Sequence, residues 1–147
     1  MSFFKRLLPT FRTTYLLIGG LYILLSANIL LRGVSASMEP FGVPAALLDS
    51  PYYENAIWWV YTHMLVLGMV MCVIGQFAEN MALKLWISRA LLVAHLYYTY
   101  LDFQASDSVV GTALYKGPAS VIPAIIALIA TIFLARFAFS IDEPAKS

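Results

Sequence analysis

The chain has 147 residues, 61% of them hydrophobic and 12% charged, with a mean hydropathy of +0.81 and a net charge of +1. A soluble domain of this length has no core large enough to hide that much apolar surface, and the near-neutral charge excludes the basic field that nucleic-acid binding needs. The lone cysteine, Cys72, cannot form an internal disulfide and has no CxxC or Cys/His zinc spacing around it.

The N-terminal Lys5, Arg6 and Arg12 precede an apolar run, and Val34-Ser35-Ala36 resembles a small-residue cleavage site. Yet Thr13 to Leu31 is 19 residues without a charge, longer than a signal core and long enough to span a bilayer. We read it as a retained first span. An outer loop, Arg32 to Glu54, carries Pro40, Pro44 and Pro51, and Pro44 is placed to open a short helix through Asp49. Leu47 and Leu48 of that helix would lie on the membrane surface or cap the helices. The second span runs from about Asn55 to Phe77 and carries a small-residue strip, Gly68, Cys72 and Gly75. A short turn, Ala78 to Ala82, leads into the third span, about Leu83 to Leu101, and forces an antiparallel hairpin. A second outer loop, Asp102 to Pro118, precedes the fourth span, about Ala119 to Phe139, with its own strip of Ala124, Ala127 and Ala130. Pro123 would kink that span near its outer end.

The expected fold is all-α: one domain over residues 1–147, an antiparallel bundle of four transmembrane helices with both termini cytoplasmic. Backbone groups in lipid must be satisfied within each segment, which selects helices. With the N-terminus inside, seven cations (Lys5, Arg6, Arg12, Lys84, Arg89, Arg136, Lys146) fall on the cytoplasmic side and two (Arg32, Lys116) outside. Tyr52, Tyr53, Trp58, Trp59, Tyr97, Tyr98 and Tyr100 gather at the predicted outer interface, and Trp86 marks the inner one. The compartment implied is an inner membrane of bacterial type.

The two histidines carry the functional expectation. His63 lies about eight residues into span two and His95 about six residues before the end of span three, which puts both roughly 10 Å below the outer surface. Ser88, His95 and Asp102 are seven apart, so with Thr99 and Tyr98 they form a polar stripe that avoids lipid by facing inward. Asn28 of span one falls in the same layer. The pocket so predicted is lined by His63, His95, Tyr98, Thr99, Asp102 and Asn28. It would hold a hydrophobic ligand, a quinone head group or a lipid, in a small membrane subunit with no catalytic activity of its own, working with a larger membrane complex or as a homo-oligomer. The alternative is an electron-transfer anchor that binds quinone, or b-type haem between His63 and His95, since each iron face takes one neutral imidazole nitrogen. Interhelical hydrogen bonding explains the same residues without a ligand. His63, His95 and Asp102 suit zinc or copper, but no HxxxH or ExxH spacing supports a metal centre. Phosphate loops, GxSxG and HExxH are absent from the sequence, as is a mid-membrane lysine. Arg89 is placed to snorkel to the inner head groups, to pair with Glu79 or to meet an anionic lipid.

The first span ending in Asn28-Ile-Leu-Leu-Arg32, the loop Met38-Glu-Pro-Phe-Gly-Val-Pro44, the tight hairpin and His95-Leu-Tyr-Tyr98 before a polar loop resemble the DoxX-like group of small bacterial four-helix membrane proteins. The resemblance covers the whole chain as architecture. It implies a small integral membrane protein, with membrane redox partners for some members, and transfers no functional residue.

Overall fold

The computed structural model describes residues 9–106, Lys116 and residues 120–139. The described residues are helical or irregular, without strands. Helix α1 spans Phe11–Arg32, α2 Val34–Met38, α3 Ala45–Leu48, α4 Pro51–Phe77, α5 Met81–Ala105 and α6 Ile122–Phe139, with a single 3-10 turn at Glu39–Phe41.

Local signals set the ends of these helices. Thr10 caps α1 by accepting from the Thr13 N–H, and Gly33, at φ 80, stops it with a conformation few other residues tolerate. Pro51 opens α4 at a position where its missing N–H leaves no bond unmade. Asn80 caps α5 through its Oδ1, which accepts from Leu83 N–H at 3.1 Å. Pro123 lies in the first turn of α6, so it starts that helix and does not kink it; the helix begins at Ile122, three residues after the expected Ala119. In the first loop Pro44 is the residue before α3. Leu47 and Leu48 pack against the cluster of Ile29, Val34, Met38, Val43 and Ile57, closing one end of the helices. Lys116 donates its N–H to the Phe41 carbonyl at 2.9 Å, tying the second loop to the first. Asp107, most of that loop, and the tail beyond Phe139 fall outside the described residues.

Three helices, α1, α4 and α6, are long and apolar enough to cross a membrane. The 25-residue α5 is long enough, but Lys84, Ser88, Arg89, His95 and Asp102 dilute its apolar character. Leu24, Leu31, Val66, Val73, Val93, Ile125 and Ile132 lie exposed on the long helices, a surface that water would not tolerate and lipid would.

Packing departs from chain order. α1 lies along α4, and α5 lies along α6, while the backbones of α4 and α5, although joined by a three-residue turn, do not come comparably close. The strip of small residues explains the first pair. A Cβ added at Gly19 would stand 2.6 Å from the Gly68 carbonyl oxygen, and one at Gly68 would stand 2.7 Å from that of Gly19. Only glycine permits so close an approach. On the other side Ala124, Ala127 and Ala130 are all buried along α6. The expected hairpin of spans two and three exists as a turn, without close backbone approach of the two helices. Both helices find closer partners elsewhere.

The two pairs meet where α1 comes close to α6 and, between α1 and α5, through side chains. The backbones of α1 and α5 stay well apart, yet Tyr15 reaches Ser88 and Tyr22 reaches His95, each bond joining residues 73 apart in sequence. A constant offset means the two helices run parallel, in heptad register. Phe11, Tyr15, Tyr22, Met71, Leu92, Leu134 and Phe137 pack in one core along this seam.

Candidate functional site

The site grows from the α1–α5 seam. His95 is fully buried. Its Nδ1 lies 2.8 Å from the Leu91 carbonyl oxygen, which can only accept, so Nδ1 carries the proton. Nε2 is then the acceptor for the Tyr22 hydroxyl at 2.6 Å. The two rings lie nearly parallel, with 5.7 Å between centroids and 4° between planes. Tyr98 meets the imidazole edge-on at 5.7 Å and remains 43% exposed, which makes it the border between His95 and the surroundings.

One turn further along, Thr131 donates its only hydroxyl proton to the Ala127 carbonyl at 2.8 Å. The 2.9 Å bond between Thr99 and Thr131 must therefore be donated by Thr99. Ser26 of α1 holds the same 73-residue offset from Thr99, and its buried Oγ, like the hydroxyls of Thr14 and Ser37, has no hydrogen-bond partner among the described residues. A buried unpaired hydroxyl costs about 1–3 kcal/mol, so this atom is an unmet demand one turn along α1 from Tyr22. Asp102 lies half-buried at the end of the stripe.

Of the six residues expected to line a pocket, the structure unites four. His95, Tyr98, Thr99 and Asp102 share one side of α5. His63 does not join them. Its side chain is exposed, its Nδ1–H donates to the Trp59 carbonyl at 2.7 Å, and its ring stacks on Trp59 at 5.3 Å. Asn28 is likewise exposed. The equal depth of the two histidines does not become proximity, because depth fixes height along a helix and says nothing about rotation. A haem held by both would need His95 to give up Tyr22 and His63 to turn inward. Among the described residues no group of three His, Cys, Asp or Glu side chains is placed to hold a metal ion.

No family model, curated protein or solved structure matches this chain. The DoxX-like resemblance accordingly rests on its motifs alone.

Tyr15, Tyr22, Ser26 and Thr131 escaped sequence reasoning. The signal for the tyrosines was present: Tyr15 and Tyr22 are seven apart, as are Ser88 and His95, and two matching heptads on parallel spans mark partners. At the opposite end of the helices, Arg89 donates Nε–H to the Ala138 carbonyl at 3.1 Å and lies over Trp86, so it does not reach for Glu79.

Proposed function

We propose that this chain is a four-span integral membrane protein of a bacterial-type inner membrane, with both termini cytoplasmic. We further propose that it is a small non-enzymatic subunit or binding protein that holds a hydrophobic ligand with a polar head. The ligand head would enter the layer of Tyr22, Ser26, His95, Tyr98, Thr99 and Asp102. The Ser26 hydroxyl, buried without a partner among the described residues one turn along α1 from Tyr22, carries this reading, because a polar head group placed there would satisfy it. Tyr98 supplies the entrance: turning one half-exposed ring uncovers the imidazole. Conjugated or hydroxylated heads, such as a quinone, match these donors and acceptors. Haem matches them less well, since both nitrogens of His95 are already engaged.

Mass spectrometry of organic extracts tests it. Protein purified in mild detergent should yield one hydrophobic species in near-stoichiometric amount, and Tyr98→Ala and Ser26→Val should each deplete it severalfold. Extracts containing only bulk lipid, unchanged by either substitution, would sink the proposal. A Soret band in the visible spectrum would instead revive the haem alternative.

A further inference from the structure

A second feature lies at the end of the molecule remote from the loops. Lys84 Nζ stands 5.2 Å over the Phe11 ring, and Phe11 packs edge-on against Phe137 at 5.5 Å. Arg89 lies at the same end of α5, donating to the carbonyl of Ala138, the residue after Phe137, with its guanidinium 5.0 Å over Trp86. Arg136 joins them, donating to the Pro9 carbonyl at 2.7 Å. Rings and carbonyls hold Lys84 and Arg89 in place but carry no net charge. Among the described residues, neither cation forms an ion pair with a carboxylate. The Asn80-capped first turn of α5 lies at the same end and adds the positive pole of a long helix.

Two held, half-exposed cations at this end, each over its own aromatic ring, are suited to an anion. Trp86 and Val93, seven apart and both exposed, run from this corner along α5 as an apolar track. We propose that the corner binds the head-group phosphate of an anionic phospholipid, Lys84 and Arg89 meeting the phosphate while an acyl chain follows Trp86 and Val93. The proposal rests on the reading above that this end lies at a leaflet surface. It differs from a general attraction of cations to the membrane because it assigns the preference to one corner.

Native mass spectrometry of the full chain, in micelles doped with phosphatidylglycerol or phosphatidylcholine, provides the test. Wild type should retain phosphatidylglycerol about fivefold better, and Lys84→Gln/Arg89→Gln should bring the two lipids within about twofold. Arg89→Lys, which keeps charge but not the planar fork, should retain most of the preference. This arm separates lipid binding from a merely structural role of the Ala138 bond. Arg12→Gln removes a cation at the same end that is turned to Gln76 on α4, and should leave the preference intact. No preference in wild type, an undiminished one in the double variant, or an equal loss in Arg12→Gln overturns the site. Displacement by millimolar inorganic phosphate would assign the corner to free anions and overturn the lipid. Reversed orientation in the membrane would refute the topology yet leave the micelle result unchanged, so the two failures are distinguishable.

Discussion

At the scale of single residues, Tyr15 and Tyr22 do the same geometric task with different chemical consequences. Both span from α1 to α5 and both end on a hydrogen bond. Loss of the Tyr15 hydroxyl leaves Ser88, whose own Oγ can turn to the carbonyl one turn earlier in its helix. Loss of the Tyr22 hydroxyl leaves Nε2 of a fully buried imidazole, whose other nitrogen is fixed by Leu91. Tyr15→Phe should therefore cost about 0.6 kcal/mol, the average for a hydrogen bond between membrane helices. Tyr22→Phe should cost about 1–3 kcal/mol, the penalty of an orphaned buried acceptor. Reversible unfolding in mixed micelles measures both. Equal shifts would mean that His95 finds another partner when Tyr22 is cut back.

At the scale of elements, the sequence made helix positions legible and helix rotations illegible. The apolar stretches at 13–31 and 83–101 lie wholly within α1 and α5, and the expected end at Phe77 is the observed one. Uncharged length alone locates such segments. Rotation normally shows as an apolar stripe, but a lipid-facing helix is apolar all round, so only scarce polar and small residues report which side faces in. His63 shows the failure: at the right depth, it turns outward and bonds its own helix. The glycines show what was recoverable. Gly19 and Gly20 are adjacent on α1, yet a Cβ at Gly19 strikes the Gly68 carbonyl and one at Gly20 meets nothing within 4 Å. Gly19→Ala should force α1 away from α4 and lower the unfolding midpoint, whereas Gly20→Ala should be neutral or mildly stabilising. A comparable loss from both would show that the close approach of α1 to α4 is not the seam that holds the pair together.

At the scale of the whole molecule, the arrangement of cations and of neighbours must agree on one orientation. Among the described residues, Arg12, Lys84, Arg89 and Arg136 sit at one end, against Arg32 and Lys116 at the loop end. Under the topology proposed above, this four-to-two excess lies on the cytoplasmic side. The parallel course of α1 and α5, read from the constant 73-residue offset of two hydrogen bonds, requires that these helices cross in the same sense if both cross. α5 is the least apolar of the long helices, but Ser88 and His95 are buried against tyrosines of α1, so these two polar groups do not meet lipid. The less apolar composition of α5 is thus compatible with spanning once its partner is counted. Labelling decides the matter. In a Cys72→Ala background, Asp49→Cys should react with a membrane-impermeant maleimide in intact cells, and Glu79→Cys should react only after the membrane is opened. Both positions are exposed, so reactivity reports the side and not burial. Labelling of both in intact cells would mean that α4 does not cross, and labelling of Glu79→Cys alone would invert the molecule.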